Sequence, residues 1–290
     1  MRRLRLRLVC VALIASILPA SAEPLKVVAS FSILADLVHN VGGAGVVVTS
    51  LVGPDSDAHV YSPTPADAKK IADAKLIVVN GLGFEGWLPR LVQASGSKAK
   101  IVTASSGITP LRLGADADPH AWQSVNNAKI YVANISLALS AADPAAAEQF
   151  TANTQAYLAK LDALDREVHE AVAKLPPDRR KVISTHNAFG YFAASYGIEF
   201  IAPLGVSTES EPSARDIAKI ITQVRQAKIP AVFLENVTDP RLMQRISAET
   251  GARVGGTLYS DGLTGEKGDA PTYIEMVRHN IKALTRALGD

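Results

Sequence analysis

Short runs rich in β-branched residues alternate with helix-patterned stretches along almost the whole chain, and this alternation restricts the fold more than any other feature. Strand patterns fall at residues 26–31, 46–52, 76–80 and 100–104 in the first half, and at 181–185, 199–201, 231–234 and 253–258 in the second. Strands separated by helix-length connections build parallel sheets from βαβ units. The expected class is therefore α/β, with two lobes of about four strands each. Pro63-Thr64-Pro65 marks one helix start, with a threonine cap and a proline in the first turn, so a helix is expected over residues 65–73.

Between the halves, Asp143-Pro144 opens a stretch that runs to Leu175 and is closed by Pro176-Pro177. Phe150, Tyr157, Leu161, Leu164, Val168, Val172 and Leu175 keep a helical period, while Glu148, Lys160, Asp165, Arg166 and Glu170 occupy the other face. A single helix of this length would measure about 48 Å, a stiff spine joining two lobes. The expected division is residues 23–142 for the first lobe, 143–176 for the linking helix and 177–290 for the second lobe.

Residues 1–22 have the pattern of a cleaved export signal: Arg2, Arg3, Arg5 and Arg7, an apolar run at 8–18, then Ala20-Ser21-Ala22. The run has about 11 residues against the roughly 20 that a membrane-spanning helix needs. Cys10, the only cysteine, lies inside it, upstream of the small-residue site, and is not read as a lipid attachment point. The mature chain would then have no thiol, leaving imidazole and carboxylate as metal ligands. Without the four arginines, 30 basic residues fall to 26 against 28 acidic, a balance with no footprint for nucleic acid.

Three of the six histidines, His59, His120 and His186, follow predicted strands in turn-like segments, and so does Asp261. Their spacings of 61, 66 and 75 residues exclude a zinc finger or an HExxH helix. Loops at the carboxyl ends of parallel strands form the ligand crevice of α/β proteins, so all four can point into one cleft between lobes.

Five segments carry a family resemblance. They are Gly53-Pro54-Asp55 through His59-Val60-Tyr61-Ser62-Pro63-Thr64-Pro65, Asn80-Gly81-Leu82-Gly83-Phe84-Glu85-Gly86-Trp87-Leu88, Asp118-Pro119-His120-Ala121-Trp122, Ser184-Thr185-His186-Asn187-Ala188-Phe189-Gly190-Tyr191-Phe192 and Tyr259-Ser260-Asp261-Gly262-Leu263. In this order they resemble the zinc- and manganese-type solute-binding proteins of bacterial ABC importers, over essentially the whole mature chain. The resemblance implies two lobes of four-stranded parallel sheet joined by one long helix, with the metal between them. It carries over His59, His120, His186 and Asp261 as ligands, and it implies a monomeric periplasmic protein that is not an enzyme. The implied partners are an inner-membrane permease and its ATPase, with a periplasmic metal chaperone as a further candidate. Histidine at position 186 and a three-imidazole set favour Zn2+ as the transported ion, with Mn2+ or Fe2+ the alternative. The long His- and Asp-rich loop of many zinc members is absent: residues 111–118 are short, with Asp116 and Asp118 alone.

Two other classes compete, a secreted zinc hydrolase with Asp261 as base and a surface adhesin. Four protein ligands close a tetrahedral shell and leave no open position for hydrolytic water. The adhesin role belongs to lipid-anchored relatives, and no lipidation cysteine stands at the cleavage site. Glu235, ending an apolar strand, is a candidate to orient a ligand imidazole or to bond a helix terminus. Glu85 and Trp87 are read as first-lobe packing. Glu209 and Glu211 favour the start of the helix after Ser213 or face the permease. His39, His169 and His279 lie in helical patterns and are read as ordinary surface or packing residues.

Overall fold

A computed structural model of the chain describes residues 23–289; the signal pattern at 1–22, with Cys10, lies outside the described residues. The order is β1 (Leu25–Phe31), α1 (Ser32–Gly42), β2 (Val46–Val52), α2 (Pro65–Asp73), β3 (Leu76–Val79), α3 (Leu88–Ser95) and β4 (Lys100–Thr103). A small hairpin, β5 (Arg112–Leu113) and β6 (Asp116–Ala117), precedes α4 (Val125–Ala142) and α5 (Ala147–Ala173). The second lobe continues with β7 (Lys181–Ile183), α6 (Gly190–Tyr196), β8 (Glu199–Ile201), α7 (Ala214–Ala227), β9 (Ala231–Glu235), α8 (Arg241–Thr250), β10 (Arg253–Leu258) and α9 (Tyr273–Gly289). Two four-stranded sheets result, ordered β2-β1-β3-β4 and β10-β9-β7-β8, and every pairing within them is parallel.

The twofold alternation of side chains along a strand explains why both faces are covered. In β1, Val27, Ala29 and Phe31 join a core with α1 and α4, while Val28 faces Ile71 of α2 and Leu88 and Leu91 of α3. In the second sheet, Val182, Ala231 and Phe233 pack with Val277, Ile281 and Leu284 of α9, whereas Ile183 and Val232 meet α7 and α8. The threonine cap expected at α2 is present and forms a full capping box: the Thr64 hydroxyl accepts from Asp67 N, and the Asp67 carboxylate accepts from Thr64 N at 2.8 Å.

The linking segment differs from its expected form in two respects. It begins as a tight turn, Pro144–Ala146, because the Asp143 side chain accepts from Ala145 N at 3.2 Å; the α-helix starts only at Ala147. Its 27 residues span about 40 Å rather than 48. It joins the two lobes as expected, packed along one apolar core in which Phe150, Tyr157, Leu161, Leu164 and Val168 meet residues such as Phe31 of the first sheet and Phe233 of the second. The β5–β6 hairpin was not foreseen; Gly114 at φ 62° lets residues 113–116 turn tightly.

Leu161 lies fully buried on α5. Leu161→Ala is expected to lower the unfolding free energy by about 2–5 kcal/mol, measured as a lower urea midpoint with an unchanged slope.

Candidate metal centre

Each of the four side chains leaves a strand or hairpin end and is fixed by its own loop. His59 lies between β2 and α2, where Asp57 accepts from its backbone N–H at 2.8 Å and Trp87 Nε1 donates to Ala58 O at 2.8 Å. Its ring packs edge-on against Phe84, with centroids 4.7 Å apart. His120 follows β6; Asp118 Oδ1 accepts both its N–H, at 2.9 Å, and its ring Nδ1–H, at 2.8 Å. Asn80 Nδ2 holds the intervening Pro119 carbonyl at 2.9 Å.

From the other lobe, His186 follows β7 and is seated on Glu235 at the end of β9. The Glu235 carboxylate accepts Thr185 N at 2.7 Å, His186 N at 3.1 Å, His186 Nδ1 at 2.5 Å and Ser260 Oγ at 3.0 Å. Asp261 follows β10. The carbonyl just before it, Ser260 O, accepts Trp122 Nε1 at 2.9 Å and Gln123 Nε2 at 2.7 Å. These donors lie directly after His120, so one carbonyl ties the two lobes at the site.

The four side chains converge: one donor atom from each lies within 4.8 Å of all the others. His120 Nε2 stands 3.2 Å from His59 Nε2 and 3.3 Å from His186 Nε2. Asp261 Oδ2 is 3.1 Å from His186 Nε2 and 3.5 Å from His59 Nε2, while Oδ1 is 3.5 Å from His120 Nε2. All four residues are buried, and neither Asp261 oxygen has a hydrogen-bond partner. In the neutral rings, the carboxylates at Nδ1 of His120 and His186 select the tautomer whose Nε2 lone pair faces inward. Imidazole nitrogens converging on a buried carboxylate are unfavourable by themselves, and a group so arranged could hold a metal ion.

Ionisation follows the same geometry. Burial pushes His120 down, against the pull of Asp261 and Asp118, which favours the neutral ring. At His186 burial also disfavours the charged form, but Glu235 and Asp261 outweigh it and raise the pKa well above the ordinary 6.5. Burial alone would raise the Asp261 carboxyl; His186 and His120 beside it hold it well below the usual carboxylate range.

Glu235 stands where an orienting carboxylate was expected. Glu85 serves the first lobe: it accepts Ser30 Oγ at 2.6 Å, Asn80 N at 2.5 Å and Gly81 N at 3.1 Å. Glu209 and Glu211 are exposed ahead of α7, whose N-cap is Ser213. His39 and His169 are exposed, and His279 bonds Thr257 O. Asp57 and Asp118 were overlooked, although Asp57-Ala58-His59 and Asp118-Pro119-His120 repeat one Asp-x-His spacing that forms a local side-chain turn. Gly190 was also missed: a Cβ there would lie 2.5 Å from Asp118 Oδ2, so any side chain would require the carboxylate that seats His120 to shift.

Residues 27–287 match the family model described as the periplasmic zinc-uptake complex component A. The iron-binding protein YfeA of Yersinia pestis is 36% identical over 276 residues, covering 93% of this chain and 88% of that protein. The manganese-binding lipoprotein MntA of Halalkalibacterium halodurans is 35% identical over 270 residues, covering 92% and 90%. Among solved structures, the periplasmic zinc-binding protein TroA of Treponema pallidum superposes with a TM-score of 0.88 at 32% identity, covering 92% of this chain and 99% of that one. The chain belongs to this family: it is a periplasmic metal-binding component of an ABC importer and not an enzyme.

Asp118→Ala removes the acceptor of His120 Nδ1 and is expected to weaken metal binding about 10- to 100-fold, read by competition with a chromophoric chelator, while the far-ultraviolet circular dichroism stays unchanged.

Proposed function

We propose that this chain captures Mn2+ or Fe2+ in the periplasm through His59, His120, His186 and Asp261 and delivers it to the permease, which the ATPase drives. The observation that carries the choice of ion is Asp261. Its carboxylate faces only the three imidazoles, Oδ2 at 3.1 Å from His186 Nε2 and 3.5 Å from His59 Nε2, Oδ1 at 3.5 Å from His120 Nε2. A carboxylate so placed can offer two oxygens, giving three nitrogen and two oxygen donors, a set richer in oxygen than a tetrahedral zinc shell. The iron- and manganese-binding relatives, at 36% and 35% identity, support the same reading. The zinc reading rests on the three imidazoles, the family description and the likeness to TroA. For delivery we take residues 23–142 and 177–290 as the lobes that close on the ion and 143–176 as the link between them.

An importer component needs tight, reversible capture without chemistry, and each residue has a part in that. The imidazoles donate through Nε2, the Asp261 carboxylate offsets the ion's charge, and Asp118 and Glu235 hold two rings in register. Nitrogen-rich sites bind zinc more tightly than manganese on raw affinity. Ion choice therefore rests on supply and on coordination number, and the test is transport. Cells with the intact importer are expected to accumulate radioactive manganese at limiting concentration, and His59→Ala to abolish this. Zinc uptake that depends on this protein, with no dependent manganese or iron uptake, would return the cargo to zinc.

The raised pKa of His186 fixes a sign. A raised value stabilises the metal-free fold below the ordinary pKa of about 6.5, and that contribution is lost as pH rises through the folded value. A bound ion must displace that proton, so apparent affinity falls as pH falls. Calorimetry at neutral pH in buffers of different ionisation enthalpy is expected to show release of about one proton per ion bound. Glu235→Gln removes one of the carboxylates that raise His186 and is expected to lower that number.

A further inference from the structure

Two of the three site histidines are held by the same device, an aspartate two residues earlier that accepts the histidine N–H, yet the two aspartates spend their remaining capacity differently. Asp118 turns back to the ring of its own histidine. Asp57 instead reaches across the cleft: Oδ1 accepts His59 N at 2.8 Å and Oδ2 accepts the Thr208 hydroxyl at 2.6 Å. Thr208 sits in the irregular segment between β8 and α7, in the second lobe. One carboxylate thus links the His59 turn to the opposite lobe.

The surroundings give that link a place in ion release. Asp57 and Thr208 border a cavity of about 380 Å3, also lined by Thr185, Glu211, Thr238 and Asp239. The Thr185 and Thr238 hydroxyls are buried without partners, and Thr185 immediately precedes His186. The cavity thus borders the chain next to two of the four converging side chains. A second tie fixes the start of the His59 loop to the second lobe through Asp55, whose N donates to Leu263 O at 2.8 Å and whose Oδ1 accepts Asn236 Nδ2 at 3.1 Å. It leaves Asp57 as the side-chain contact nearest His59 across this flank.

We propose that Asp57 is a positioning residue that couples His59 to lobe closure, the Asp57–Thr208 hydrogen bond setting how slowly a bound divalent cation leaves. This rests on the reading of His59 as a ligand. Thr208→Val removes the hydroxyl at nearly constant volume and leaves the Asp57–His59 turn intact. Asp57→Ala removes both contacts.

The test loads the purified protein with Co2+ as a spectroscopic probe and follows its transfer to excess chelator by stopped flow. Thr208→Val is expected to bind one Co2+ with the wild-type absorption spectrum but to release it about tenfold faster, the scale of one hydrogen bond to a charged group. Thr208→Ser, which restores the hydroxyl, is expected to return the rate to that of wild type. Asp57→Ala is expected to speed release and also change the spectrum, and the double variant to be no faster than Asp57→Ala. Wild-type release from Thr208→Val, or from Thr208→Ala should the valine variant not fold, overturns the proposal while leaving the metal site standing. Failure of the wild-type protein to hold Co2+, or an unchanged Co2+ spectrum and affinity in His59→Ala, overturns the ligand reading and the coupling with it.

Discussion

The interaction on which the molecule turns is one its own side chains leave unfinished. Three imidazole nitrogens and a carboxylate converge in a buried space, and the Asp261 oxygens find no donor there. Buried polar groups are ordinarily satisfied because leaving them unpaired costs about 1–3 kcal/mol each. Here the surrounding structure holds the arrangement in place: Asp118 and Glu235 fix two rings, and the Ser260 carbonyl receives two donors from the opposite lobe. On the proposed reading a divalent cation would complete what the protein has arranged, and binding and lobe closure would draw on the same contacts.

The fold supplies the convergence economically. Parallel sheets deliver every strand's carboxyl end to the same side, so two facing sheets present four loops to one cleft. The core beneath is continuous, since α5 packs against helices of both lobes rather than spanning a gap. The side chains that seat the converging histidines thus stand in loops and at a helix start above the sheets, around Asp57, Thr208, Asp118 and Gly190. Gly190 illustrates the tolerance: without a side chain it lets α6 approach the Asp118 carboxylate that seats His120.

Much of this was legible in the sequence, for reasons that can be named. Eight strands were readable because both faces of each sheet are covered, which makes strands such as Leu76–Val79 continuous apolar runs. The α2 start was readable because Thr64 and Pro65 act locally. His59, His186 and Asp261 could be grouped because strand exits in parallel sheets share a side, and His120 joins them from the same end, in the β4–α4 connection after the small hairpin. What escaped is either too short to leave a pattern or depends on neighbours remote in sequence. The Asp143 turn that delays α5 and the hairpin around Gly114 are local but too short to give a periodic signal. The partition of Asp57 and Asp118 is invisible in their identical spacing to histidine: one returns to its own ring, the other meets a threonine 151 positions away. The choice of ion was the least legible, because three imidazoles favour zinc while the placement of Asp261, on which the manganese or iron proposal rests, appears only once the chain is folded.

The most direct measurement of the central claim is X-ray absorption at the edge of the bound metal, taken on the purified protein carrying one equivalent of manganese. The account predicts a shell containing three imidazole nitrogens, with their outer-ring scattering, together with carboxylate oxygen, and loss of one imidazole in His186→Ala. A shell of oxygen atoms with one imidazole or none would contradict it, since the ion would then lie outside the site where the two lobes meet.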